Sequence, residues 1–97
     1  PFQQKIERLA EILGSVHHLR NLCGETTKVW REKMDALLVA ENPAPERRAR
    51  MVASFNRGYQ AFAETYDKCT PAATTALSRY TVEGASLTNE IVLRYGN

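Results

Sequence analysis

The side chains best able to do chemistry are two cysteines and two histidines. Cys23 and Cys69 each lie where a helix should end, because Gly24 follows the first and Thr70-Pro71 follows the second. If the segments between them are antiparallel helices, both thiols lie at the same end of a bundle, where they could form a disulfide. The alternative is a pair of buried free thiols in a cytosolic protein, because cysteine is often buried even when it is unpaired.

The two histidines, His17 and His18, are adjacent. Consecutive helical side chains point about 100° apart, so these two cannot share a metal ion as an i,i+4 pair does. We expect a partly packed ring at His17, a solvated ring at His18, no metal and no cofactor. Cys23 with one of these histidines is the only nucleophile and base within reach, and a disulfide would remove it. No catalytic residue is predicted.

A basic cluster is the strongest surface signal. Arg50 and Arg57 are seven residues apart and therefore share a helix face, and Arg47 and Arg48 lie one turn earlier. The segment Asn56-Arg57-Gly58-Tyr59 places weak helix formers in mid-helix, which indicates a packing constraint or a functional site. The predicted partner-binding residues are Arg47, Arg50, Asn56, Arg57 and Tyr59. The alternative is a solvated face with local ion pairs.

Four helical segments should position these side chains. Apolar residues at spacings of three and four predict helices over about 2–22, 27–41, 45–68 and 71–94 within a single domain, 1–97. Short connections favour antiparallel neighbours. The predicted fold is therefore all-α, an antiparallel up-down-up-down four-helix bundle stapled by one disulfide.

Glycines inside the helices indicate close packing. Gly14 predicts a close backbone contact on the first helix, whose outer side is expected to carry Ser15. Counting outward from the turn between the third and fourth helices places Gly84 opposite Phe55, and Gly58 near Tyr80 or Thr81. These two helices are therefore expected to approach each other closely.

Composition limits the class of protein. The chain has 97 residues, 43% hydrophobic and 25% charged, which is typical of a globular domain. A formal net charge of +2 is too small to indicate nucleic-acid binding. No apolar run approaches the roughly 18 residues of a transmembrane helix. The chain begins with proline, which is compatible with removal of an export leader.

Several short segments resemble a known family. They are Leu22-Cys23-Gly24, Phe55-Asn56-Arg57-Gly58-Tyr59, Thr65-Tyr66-Asp67-Lys68-Cys69-Thr70-Pro71-Ala72-Ala73, Arg79-Tyr80 and Glu83-Gly84-Ala85. Together they look like a family of small alphaproteobacterial proteins with no established activity, whose members typically carry an export signal. The resemblance covers nearly the whole chain. It implies a periplasmic helical domain with paired cysteines, and it supplies no catalytic residues.

These observations lead to two hypotheses about function. The first is a non-enzymatic periplasmic protein that binds an envelope protein or an anionic envelope component, with no nucleic acid involved. The alternative is a cytosolic helical regulator or nucleic-acid-binding protein with reduced cysteines, for which binding would be sensitive to salt. No constellation of residues supports a hydrolase or a redox enzyme. The sequence specifies no oligomeric state.

Overall fold

The computed structural model describes residues 2–95 and contains four α-helices. They are α1 (Phe2–Leu22), α2 (Val29–Glu41), α3 (Pro45–Thr65) and α4 (Pro71–Tyr95), and the described residues include no strand. Successive helices run in opposite directions, and one disulfide joins the ends of two of them. The predicted all-α, up-down-up-down bundle is therefore confirmed. Within residues 2–95, no helix has both the length and the apolar composition needed to cross a membrane.

Local signals determine where α1 and α2 begin and end. Gly24 has a φ of 103°, the left-handed conformation that commonly stops a helix, and α1 ends two residues before it. The amide of Val29 donates to the Thr27 hydroxyl at 3.1 Å, so α2 begins two residues later than predicted. Asn42, with a φ of 43°, ends α2 in the same left-handed way.

The connection between α3 and α4 is longer than predicted. Helix α3 ends at Thr65 rather than at residue 68, because Tyr66 adopts an extended conformation with a φ of −125°. A proline disfavours helix in the residue before it, and the chain must also carry Cys69 across to α1. Helix α4 then begins at Pro71, and the Thr70 hydroxyl accepts a hydrogen bond from the Ala73 amide at 3.1 Å.

Helix α1 is the centre of the fold. Its Cα atoms come within 8 Å of those of each other helix, whereas the Cα atoms of α4 approach only those of α1 among the described helices. Nine of its 21 residues are buried, and they supply most of the core. The buried apolar side chains of α1 are Ile6, Leu9, Ala10, Ile12, Leu13, Val16 and Leu19, and the other helices add Met34, Leu38, Met51, Ala73 and Ile91. A helix that is buried on most sides is the expected result of such a broad apolar face.

The closest helix pair is α1 and α3, which run parallel. A Cβ atom built on Gly14 would overlap the Phe55 carbonyl oxygen, and one built on Gly58 would overlap the Glu11 carbonyl oxygen. The close contact predicted at Gly14 is thus confirmed, but the expected approach of α3 to α4 is wrong. Gly58 lies against α1 rather than near Tyr80.

Ser15 and Gly84 also differ from expectation. The Ser15 side chain is 1% exposed, and its hydroxyl lies 3.1 Å from the Gly58 carbonyl oxygen, so it is buried between α1 and α3 rather than on the outer side of α1. Gly84 packs against Ile12 of α1 and not against Phe55. Both differences follow from the central position of α1, which keeps the backbones of α3 and α4 apart, although the Phe62 and Tyr80 rings of these two helices meet edge to face at 5.2 Å.

A single carboxylate joins three helices at the pole opposite the disulfide. The Glu41 side chain at the end of α2 is 2% exposed and lies 3.6 Å from Arg47 Nη2 and 3.7 Å from Arg94 Nη1. Arg47 is in the first turn of α3 and Arg94 in the last turn of α4. Buried charge is costly unless it is paired, so this cluster holds the three helix ends together.

Candidate functional site

The two cysteines meet at one pole of the bundle. Cys23 and Cys69 form a disulfide with an S–S distance of 2.02 Å and a Cα–Cα distance of 4.9 Å. Cys23 directly follows α1, and Cys69 lies in the connection between α3 and α4. The Cys69 side chain is exposed, whereas Cys23 is half-buried. The bond removes the only thiolate that could have served as a nucleophile beside a histidine.

Both histidines pack against aromatic rings or backbone beside this pole. The His17 ring lies 6.1 Å from the Phe55 ring and 5.8 Å from the Tyr59 ring. Tyr66 is the first residue beyond α3, and its carbonyl oxygen lies 3.2 Å from His18 Nε2. His17 is partly packed as predicted, but His18 is half-buried and hydrogen-bonded rather than solvated. The early end of α3 exposes the carbonyl group that His18 contacts.

We predict that acid destabilises the fold in two separate steps. Burial lowers the pKa of His17 below its ordinary value of 6.5, and the nearby charges of Arg31 and His18 lower it further. As the pH falls through 6.5 the unfolded chain binds a proton that the folded chain does not, so the free energy of unfolding decreases. Urea denaturation between pH 8 and pH 4 measures this first step.

The second step involves two carboxylates. Burial raises the pKa of Glu11, but hydrogen bonds from Arg8 and Arg57 outweigh burial and hold this pKa below 4.5. A hydrogen bond from Arg8 likewise lowers the pKa of Glu83. Their stabilisation is present above pH 4.5 and is lost as the pH falls below it. A His17→Gln variant should lose the upper step and keep the lower one, and a flat wild-type profile from pH 8 to pH 5 would contradict the assignment to His17.

The three predicted arginines lie along the edge where α3 meets α1. Arg47 Nε donates to Gln3 Oε1 at 2.7 Å, and Arg50 and Arg57 lie 3.6 Å and 3.1 Å from the carboxylates of α1 at positions 7 and 11. The contacting positions advance along both helices in the same direction, as expected for parallel helices. The arginine side chains remain 36%, 53% and 62% exposed in order along α3. The edge is thus a row of one hydrogen bond and two ion pairs, and all three guanidinium groups still reach solvent.

Asn56 and Tyr59 lie elsewhere on α3. Asn56 is exposed and lines two shallow hollows of about 460 and 510 Å³, which it shares with Ala53. Tyr59 is 39% exposed, and its ring contacts the His18 ring at 5.3 Å in an edge-to-face arrangement. The structure therefore brings Arg50, Arg57 and Asn56 onto adjoining parts of one surface. It places Tyr59 with the histidines instead.

A second group of charges joins α1 to α4. Arg8 Nε donates to Glu83 Oε2 at 2.7 Å, and the Arg8 guanidinium lies 5.1 Å from the centre of the Tyr80 ring. The hydrogen bond to Glu83 raises the pKa of Arg8, although burial opposes this. Among residues 2–95, no group of three or more histidine, cysteine or carboxylate side chains is arranged to hold a metal ion.

A groove between α2 and α4 was not predicted. It has a volume of about 310 Å³, and its floor is the apolar face of α1. One wall carries Trp30 and Lys33 of α2, and the other consists of α4 residues that include Ala85 and Thr88. The sequence signal for it is a run of small uncharged residues on one edge of α4, at positions 81, 84, 85 and 88. These small residues indicate a groove only in combination with the fold, in which α4 faces α2 across α1.

Comparison with known proteins identifies one family. The family model described as a protein of unknown function (DUF2385) matches residues 1–95. The searches of curated proteins and of solved structures find no significant match.

Proposed function

We infer that this chain, which belongs to the DUF2385 family of proteins of unknown function, is a non-enzymatic helical binding domain. It works in the periplasm, where it binds an envelope protein or an anionic envelope component. The observation that carries this proposal is the Cys23–Cys69 disulfide. Disulfides persist in oxidising compartments outside the cytoplasm and are rare inside it. The same bond supports a non-enzymatic role, because it consumes the one candidate nucleophile.

The compartment is tested by trapping thiols in cells of the source organism. Proteins are acid-quenched, alkylated without reductant, and compared by mass with a sample that is reduced before alkylation. We expect no alkyl group on the native chain and two after reduction. Two alkyl groups without reductant would place the chain in a reducing compartment and favour the cytosolic alternative.

The surface best suited to contact a partner is the α3 edge with its adjoining outer face. Arg50 and Arg57 offer exposed guanidinium groups, and Asn56 lies beside two hollows that a partner's side chains could fill. Arginine is favoured for binding carboxylate and phosphate groups because it donates in a planar, two-pronged geometry. An anionic partner would compete with Glu7 and Glu11 for these guanidinium groups.

Charge reversal at this edge should abolish capture of the partner. We predict that Arg50→Glu with Arg57→Glu reduces capture from a detergent extract of the envelope by about tenfold or more, because like charges then face the anionic partner. Capture is quantified by crosslinking and mass spectrometry. The matched control is Glu7→Gln with Glu11→Gln, which removes the acidic partners of both arginines, together with the Arg8–Glu11 pair, but keeps both cations.

The control separates loss of binding from loss of fold. Because Glu11 also pairs with Arg8, the control should unfold at a somewhat lower temperature than the wild type, and circular dichroism verifies that both variants are folded at the temperature of the capture experiment. The control should capture the partner at least as well as the wild type. Equal capture by the charge-reversed and wild-type proteins would exclude this surface.

A further inference from the structure

The groove between α2 and α4 lies apart from the α3 surface, because none of its lining residues comes from α3. Its floor consists of Leu9, Ile12, Leu13 and Val16 of α1. Each of these residues is at most 8% exposed, so the floor presents a small apolar surface at the bottom of the groove. The groove is therefore narrow and apolar, and its volume of about 310 Å³ lies at the lower end of the range for small-molecule sites.

The middle of the α4 wall offers no free polar group. Its residues Thr81, Gly84, Ala85 and Thr88 are small and uncharged, and the larger polar side chains of Tyr80 and Asn89 flank them along the helix. The hydroxyl of Thr81 donates to the Leu77 carbonyl oxygen at 2.7 Å, and that of Thr88 donates to the Gly84 carbonyl oxygen at 2.8 Å. Since both hydroxyls are satisfied within their own helix, this middle part of the wall favours an apolar ligand.

The α2 wall has a different character. The indole Nε1 of Trp30 is buried and has no hydrogen-bond partner among the described residues, which is unusual for a buried donor. Two cations lie over the same ring, with Lys33 Nζ at 5.6 Å and Arg20 Cζ at 5.5 Å from its centre. Lys33 forms no ion pair with any residue in 2–95. The positive charge at this end of the groove therefore favours an anionic group.

We propose that the groove binds a single unbranched acyl chain with a terminal carboxylate, that is, a fatty acid. The chain lies on the α1 floor against the α4 wall, and the carboxylate lies beside Trp30 and Lys33. A volume of about 310 Å³ is too small for a segment of helix about 10 Å in diameter, whereas a slender acyl chain fits within it. The ammonium group of Lys33, which lines the groove and forms no ion pair within residues 2–95, explains the preference for an acid.

Trp30 makes this proposal directly measurable, because it is the only tryptophan of the chain. Decanoate is titrated, below the concentration at which it forms micelles, into the full 97-residue protein while indole emission is recorded. We expect a saturable change in emission, and quenching by an acyl chain brominated along its length. Decanol should bind about tenfold more weakly than decanoate, because it lacks the charge.

Two substitutions and one matched control test the location. Ala85→Leu fills the groove from an exposed position and should weaken decanoate binding by about tenfold or more. Ala72→Leu makes the same change at an exposed α4 position outside the groove and should leave binding unchanged. Lys33→Gln should weaken decanoate about tenfold and leave decanol unaffected. Circular dichroism verifies that each variant is folded.

Three results would overturn the proposal. The first is the absence of a saturable signal with decanoate. The second is equal weakening by Ala85→Leu and Ala72→Leu, which would place binding elsewhere. The third is a concentration-dependent dimer, detected by sedimentation without any amphiphile and disrupted by Ala85→Leu, which would assign the groove to a second copy of the chain.

Discussion

Replacing both cysteines with alanine should lower the free energy of unfolding by about 4 kcal/mol. The disulfide joins residues 46 positions apart, and a crosslink that closes a loop of this length restricts the unfolded chain by roughly that amount on the chain-entropy estimate. Domains of this size are stabilised by only about 5–15 kcal/mol in total, so the loss is a large share. Thermal unfolding of Cys23→Ala/Cys69→Ala should show a midpoint lower by roughly 15–30 °C.

Reductant provides the matched control for this prediction. Wild-type protein in dithiothreitol should unfold near the temperature of the double-alanine variant, and the variant itself should not respond to dithiothreitol. Cys69 is exposed, so the bond is open to attack by the reductant. A reduced wild-type protein that unfolds within a few degrees of the oxidised one would show that the bond contributes little to stability.

Local sequence signals account for much of the architecture. Gly24, Pro45 and Pro71 mark helix ends because a left-handed glycine and a first-turn proline act within a residue or two. The pairing of Cys23 with Cys69 follows from those ends and from antiparallel neighbours. Helix α3 was predicted to end three residues later than it does. The extended conformation of Tyr66 depends on a contact with α1, and local helix propensity carries no information about such a contact.

The second buried face of α1 escaped prediction for a physical reason. Hydrophobic periodicity assigns a face to solvent when it carries polar side chains, and this face carries Glu7, Glu11 and Ser15. In the structure the carboxylates pair with arginines of α3, and Ser15 lies in the contact itself. An interface formed by backbone approach and ion pairs therefore resembles a solvated face in sequence. The arginine edge, predicted either to bind a partner or to be a solvated face with local ion pairs, is the outer margin of that interface.

The second large loss of stability is expected when the two glycines at the contact between α1 and α3 are substituted. Gly14→Ala and Gly58→Ala should each lower the free energy of unfolding by about 3 kcal/mol, at the upper end of the range for overpacked cores. The new Cβ at position 14 would meet the carbonyl carbon of Phe55 at 2.8 Å, and that at position 58 would meet the carbonyl carbon of Glu11 at the same distance. These are backbone atoms that cannot rotate aside, so α1 and α3 must separate. Urea denaturation monitored by circular dichroism measures each loss.

Gly84 provides the control that isolates the cause. Its new Cβ would meet only a methyl group of Ile12 at 3.1 Å, which a small side-chain movement relieves. Alanine is favoured over glycine within a helix by about 1 kcal/mol, so Gly84→Ala should change stability by less than about 1 kcal/mol. The Gly14→Ala/Gly58→Ala double variant should lose less than the sum of the single losses, because one separation of α1 from α3 relieves both overlaps. Strict additivity, or an equal loss at Gly84, would mean that the helices do not meet through these two glycines.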